Sequence, residues 1–182
     1  MPAFFLAFLT VALAILAGRE SLRVARLSAA RDGAIGLWLA ILAAGFASAA
    51  IAASLAGELA ELLEPRMWPV LVAGALTVAG IEVLVLRAPP KPREAAQSIG
   101  ATVLVLFVEL LTGAAGLLVI ALSVAQSEPV LSGAGGALGA MAALSAAALA
   151  REDWEQLPHQ MMRLAGGGLL LLAALVSGIS AL

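Results

Sequence analysis

The sequence predicts an all-α integral membrane protein with about six transmembrane helices, built as two inverted three-helix repeats. Three observations carry this expectation. The chain of 182 residues is 63% hydrophobic and only 12% charged, roughly half the charge density of a soluble domain, and its mean hydropathy is +1.07. Its uncharged runs match the roughly 18 or more residues that a helix needs to cross the hydrocarbon core. A segment that follows the second apolar stretch also recurs after the fifth.

The first stretch starts near Ala3 and stays apolar to Gly18. Met1-Pro2-Ala3-Phe4-Phe5 lacks the basic region of a secretory signal, so this helix is expected to be retained. Arg19, Arg23 and Arg26 then recur at i, i+4 and i+7, on one helical face. The second stretch runs from about Ile35 to Ala56, after Asp32-Gly33. The third runs from about Met67 to Leu86, with Pro65 and Pro69 around its first turn, where proline is tolerated. Residues 87–97 (RAPPKPREAAQ) form a Pro-rich linker, since three prolines forbid a regular helix. The repeats are therefore expected at 1–86 and 98–182. In the second repeat the stretches run from about Ser98 to Gln126, Leu131 to Ala150 and Met162 to Leu182, with a polar loop from Arg151 to His159.

The repeat is legible without gaps. A shift of 94 positions places Leu149-Ala150 on Leu55-Ala56, Glu152 on Glu58, Glu155 on Glu61, Leu157 on Leu63 and Met161 on Met67. Three helices per copy is an odd number, so the copies enter the bilayer from opposite sides. That plan is common in transporters, whose substrate site lies where the copies meet. With six spans, nine of the ten Lys and Arg fall on one side of the membrane, and only Arg66 lies opposite. The positive-inside rule then makes 87–97 cytoplasmic and puts both termini outside the cytoplasm of a bacterial inner membrane. Trp38, Trp68 and Trp154 fall near helix ends, as interfacial anchors do.

Composition also excludes functions. The net charge is −2, Tyr is absent and no basic stripe is present, so nucleic acid is not expected as a partner. Cys is absent, which removes disulfides, thiolate metal sites and cysteine nucleophiles. No Ser has a usable base within a span and no His-containing metal motif exists, so the chain does not read as an enzyme. No resident cofactor is implied.

Glu109 is the main candidate for chemistry. It lies about 16 Å into its helix at 1.5 Å per residue, near mid-bilayer, where an unpaired charge is costly. A carboxylate there suits a cation ligand or a proton carrier, and oxygen donors suit hard ions such as Ca²⁺ and Mn²⁺. Thr112, at i+3, offers a further oxygen. Glu82 is close in sequence to Arg87 and can snorkel towards it. The arginine face has two readings: a cytoplasmic surface for lipid headgroups, or a buried face from which Arg19 reaches Glu109 and neutralises it, a pairing that would argue against metal transport. His159 reads as a surface residue. Glu58, Glu61, Glu64, Glu152, Asp153 and Glu155 read as solvated loop faces, and the Gly- and Ala-rich second and fifth stretches read as tight packing surfaces.

Phe8-Leu9-Thr10-Val11 leading to Gly18-Arg19, and Leu106-Phe107-Val108-Glu109-Leu110, resemble the Gdt-one-type family of calcium and manganese transporters. The resemblance implies six helices in two inverted halves, each opening with E-x-G-D-[KR]-[ST], and exchange of Mn²⁺ or Ca²⁺ against protons. Both motifs are eroded here. In the second copy Glu109 holds its place, while Leu111, Thr112, Gly113 and Ala114 replace the rest. In the first, Ile15, Ala17 and Gly18 stand at the glutamate, glycine and aspartate, Arg19 keeps the basic place and Glu20 takes the hydroxyl place. The resemblance thus implies a divalent-cation transporter or cation:proton exchanger using Glu109, with Glu20, Glu82 and Arg19 as secondary candidates. The alternatives are a non-transporting membrane partner or regulatory subunit and an exporter of another small solute. The bilayer, an inorganic cation, protons, and a membrane-protein partner or second copy are the expected contacts.

Overall fold

The computed structural model describes residues 1–30, 35–86 and 98–180; the expected linker at 87–97, with Arg87, Lys91 and Arg93, and the Asp32-Gly33 pair lie outside them. The described residues form helices and connecting turns only. The order is α1 (Pro2–Ala17), α2 (Arg19–Ala29), α3 (Ile35–Leu62), a 3-10 turn (Pro65–Met67), α4 (Trp68–Val85), α5 (Ile99–Thr112), α6 (Ala114–Gln126), α7 (Pro129–Ala150), α8 (Glu152–Gln156) and α9 (His159–Ile179).

By length and composition, four helices can cross a membrane (α3, α4 with its leading turn, α7 and α9), and six spans result if each bent pair counts as one. The outer surface agrees with a multi-pass membrane protein. Leu9, Leu104, Leu164, Leu172 and Val176, from α1, α5 and α9, are all more than half exposed. Water would penalise such a surface, whereas lipid is as apolar as the side chains themselves.

The main difference from the sequence expectation lies in the first and fourth stretches. Each is two helices, not one. α1 and α2 meet at 64°, and α5 and α6 at 49°. The breaks are at Gly18 (φ −80°, ψ −179°) and Gly113 (φ −87°, ψ −171°), both extended. Any residue can adopt that backbone, so the glycines serve close approach instead. A Cβ at Gly18 would collide with the Ala14 carbonyl and the Glu20 carboxylate, and one at Gly113 would meet the Glu109 carbonyl at 2.7 Å and Glu82 Oε1 at 3.2 Å.

Local chemistry sets the other boundaries. Pro2 and Pro129 open α1 and α7, where a missing N–H costs nothing. The Ser98 hydroxyl accepts from the Ala101 N–H at the start of α5. Ser127 (φ 53°) ends α6, and Arg151 (φ 49°) ends α7. The expected polar loop from Arg151 to His159 accordingly contains α8, which buries Trp154 against Ala25 and Ala147.

α7 is the most buried span at 61%, against 22% for α4 and α9. It packs on α1, α2 and α3, while α3 packs on α5, α6 and α7, and α4 packs on α9 and α6. Small residues make this possible. A Cβ on Gly135 or Gly139 would strike the Phe4 or Phe8 carbonyl of α1, and Gly80 and Gly167 let α4 and α9 cross backbone to backbone.

Candidate functional site: two helix breaks facing one cavity

The ends of the broken helices meet. A cavity with about 10 Å³ of free volume, roughly one water-sized occupant, is bounded by Gly18, Arg19, Glu20, Glu82, Glu109 and their apolar neighbours. Its lining includes four pairs of residues 95 positions apart: Ala14 and Glu109, Ile15 and Leu110, Arg19 and Ala114, Glu20 and Ala115. The break glycines, Gly18 and Gly113, keep the same spacing.

Each charged group arrives by a separate route. Glu109 comes from the last turn of α5 and pairs through Oε1 with Arg23 Nη1, in the second turn of α2. Arg19 opens α2; its Nη2 lies 3.9 Å from Glu82 Oε1, and its Nε lies 3.6 Å from Glu20 Oε1. Glu20, in the first turn of α2, is 8% exposed. Glu82 stands one turn before the end of α4, over Gly113. Three carboxylates and Arg19 line the cavity, and with Arg23, which pairs with Glu109 from outside its lining, they form a cluster from three helices with a formal charge of −1. The pairing leaves Glu109 Oε2 and Arg19 Nε buried without a hydrogen-bond partner among the described residues.

The sequence candidates divide accordingly. Glu109, Glu20, Glu82 and Arg19 are brought together. Thr112 is not: it is exposed, and its hydroxyl donates to the Val108 carbonyl (2.7 Å), one turn back. Both residues lie in the last turn of α5, but Thr112 spends its hydroxyl on its own helix instead of the cavity. Glu82 faces Arg19 of the first span, while Arg87 lies outside the described residues. Of the two readings of the arginine face, the structure follows the buried one, with a change of partner: Arg23 takes Glu109, and Arg19 takes Glu20 and Glu82. Arg26 continues the face, bonding Glu155 of α8 at 2.6 Å. This corrects the expectation that Glu155 is a solvated loop acid. His159 opens α9, its Nε2 buried without a partner among the described residues.

Two residues with structural roles here escape a sequence reading. Arg23 is the partner of Glu109, and nothing local distinguishes it from Arg19 or Arg26. Arg163 of α9 donates to the Val83 carbonyl (Nε, 2.9 Å) and the Leu84 carbonyl (Nη2, 2.5 Å), pinning the end of α4 beside Glu82. By sequence it counts only as one of the positive charges of its loop.

No group of three His, Cys, Asp or Glu is placed to hold a metal ion among the described residues. Glu20, Glu82 and Glu109 share the cavity, but guanidiniums stand between them. In comparisons with protein-family models, curated proteins and solved structures, the chain matches none.

Proposed function

We propose that the chain is a secondary transporter of the bacterial inner membrane that exchanges a cation, Mn²⁺ or Ca²⁺ in the first instance, against protons. The observation that carries this reading is the meeting of Glu20, Glu82 and Glu109 at two facing helix breaks. Discontinuous helices that end at a shared polar site are how transporters place charge and bare backbone groups inside the bilayer. Arg19 and Arg23 then act as tethered internal cations. A substrate cation competes with them for the carboxylates, and protons do the same on the return.

The inverted-repeat reading is part of the proposal, and packing supports it. α1 lies on α7 as α5 lies on α3, α2 lies on α7 as α6 lies on α3, and α3–α7 and α4–α9 are like-with-like contacts. The spacing of 95 at the breaks and of 94 from Leu55 to Met67 differ by one residue, absorbed between the spans. Alternating access requires the halves to trade conformations. α7 stops at Arg151 with φ 49°, while α3 continues straight through Gly57, its counterpart 94 positions earlier. A Cβ at Gly57 would meet nothing within 4 Å, so packing does not explain this glycine; freedom to take the same turn does.

A second reading has a specific observation behind it. The N-terminal ends of α2 and α6 both open on the cavity beside two arginines, an arrangement that suits an anionic solute. A non-transporting partner subunit is the remaining alternative. Purified protein in liposomes, with a pH dye inside and a panel of Mn²⁺, Ca²⁺, monovalent cations and small carboxylates outside, separates the three. Cation-driven proton flux that Glu109→Gln abolishes is the expected result. Carboxylate-driven flux selects the second reading, and silence to the whole panel rejects transport.

A further inference from the structure

We propose that Glu20 carries the proton of the exchange, and that the conformation described here is the proton-loaded one. This rests on the transport reading above and names the group in that site that binds one of its two substrates. The cavity has room for about one water molecule. Arg19 already stands among its carboxylates, and Arg23 already holds Glu109. A divalent cation, which needs several oxygen ligands, does not fit until those guanidiniums move. The cluster in this state lacks a single positive charge, and a proton supplies it without taking up space.

Three carboxylates are available to that proton, and their surroundings differ. Glu109 is paired directly with Arg23. Glu20 and Glu82 share Arg19 at 3.6 and 3.9 Å, too far for a hydrogen bond to either. The two helix breaks then separate Glu20 from Glu82. At the second break the Gly113 N–H donates at 2.9 Å to the Glu109 carbonyl, four residues back, so the carbonyl nearest Glu82 has its donor. At the first break the Gly18 N–H turns instead to the Ile15 carbonyl, three residues back, at 3.1 Å. The Ala14 carbonyl thereby loses the N–H that the helix pattern assigns to it. Glu20 Oε2 and this carbonyl oxygen both crowd the place that a Cβ on Gly18 would take. The two oxygens repel each other when Glu20 is ionised, whereas a protonated carboxyl can donate to the Ala14 carbonyl. With Glu20 only 8% exposed, bulk water does not relieve that repulsion.

The charged groups around Glu20 are Arg19 and Arg23 on its own helix, Glu82 on α4 and Glu109 on α5. Arg163 of α9 is held on α4 carbonyls beside Glu82, and α1, α6 and α7 carry no titratable side chain. A cation that displaces Arg19 sets two positive charges beside Glu20 and favours loss of its proton, which is the coupling an exchanger requires.

Solid-state NMR of the ¹³C-labelled full-length protein in liposomes reads each carboxyl separately once the resonances are assigned along the chain. At neutral pH the side-chain carboxyl carbon of Glu20 should lie at the position of a protonated acid, and those of Glu82 and Glu109 at the position of carboxylates. Saturating Ca²⁺, which is diamagnetic, should move the Glu20 carbon to the carboxylate position. Glu20→Gln keeps a donor for the Ala14 carbonyl but cannot titrate, so it should fold and lose cation-driven proton flux. An ionised Glu20 at neutral pH, a protonated Glu82 or Glu109 in its place, or proton flux that survives Glu20→Gln overturns the assignment. Flux of the native protein is measured in parallel. Flux with Glu20 ionised rejects the assignment alone, and a protonated Glu20 that no cation shifts, in protein without flux, rejects the transport reading alone.

Discussion

Glu109 obtains from Arg23 the counter-charge that a bilayer does not supply, and Arg23 depends on Glu109 in the same way. Both side chains are mostly covered, at 12% and 23% exposed. Removing one partner of such a pair leaves an uncompensated charge and costs about 3–5 kcal/mol, whereas removing both costs far less. Arg23→Gln should therefore lower the thermal midpoint in detergent by more than Arg23→Gln with Glu109→Gln does. Additive effects in that double-mutant cycle would show the contact to be without energetic weight. Arg163 works differently, because its guanidinium meets backbone carbonyls. Arg163→Lys cannot reach both Val83 and Leu84 with a fixed fork. It should loosen the end of α4, visible as faster amide exchange at Leu86, whose N–H bonds the Glu82 carbonyl.

The glycines of the helices fall into two kinds, those whose space a neighbour fills and those with open space around them. Gly139 is a packing glycine: a Cβ there strikes the Phe8 backbone, so Gly139→Val should cost about 1–3 kcal/mol or more by forcing α1 and α7 apart. Gly168 has open space around it and should accept alanine without loss. Gly57 also has open space, yet Gly57→Ala should raise stability slightly and lower flux, because a Cβ makes the positive-φ break that α7 shows at Arg151 costlier in α3. A variant that gains stability and keeps full flux would rule out a hinge at Gly57. The sequence exposes these elements unevenly. Each of the six apolar stretches is visible as a long run with at most one charge inside it (Glu82 in the third, Glu109 in the fourth, Arg163 at the start of the sixth), because charge is costly in lipid. The breaks are not visible: Gly113 sits in an apolar run like any other membrane glycine, and the space it leaves is taken up by Glu82, 31 positions away in sequence. The amphipathic character of α2 is plain, but a polar face turned to buried acids looks the same in sequence as one turned to headgroups.

At the scale of the whole molecule, the described residues give a helical bundle in which the two bent pairs, α1–α2 and α5–α6, meet at the cavity. The sequence supplies the material for that plan, namely the helix count, the repeat near 94 positions and the single mid-span acid Glu109. It leaves the pairing of the charges open, because five charged side chains from α2, α4 and α5 can be matched in several ways until the helices are packed. The orientation remains part of the proposal. Periplasmic reporter enzymes fused at either terminus should be active and the same reporter inserted at 87–97 should be silent; the reverse pattern would invert every assignment of inside and outside. The net charge of the cluster formed by Glu20, Glu82, Glu109, Arg19 and Arg23 carries an electrical consequence. Three carboxylates and two guanidiniums sum to −1, so on the exchanger reading the site moves with +1 when it holds a divalent cation and with zero when it returns with one proton. Such a cycle carries one charge across the membrane, worth about 2.3 kcal/mol per 100 mV. Voltage would then favour uptake and oppose export, and a potassium–valinomycin clamp should accelerate flux in one direction and slow it in the other. Flux indifferent to the clamp would mean that a second proton returns in each cycle.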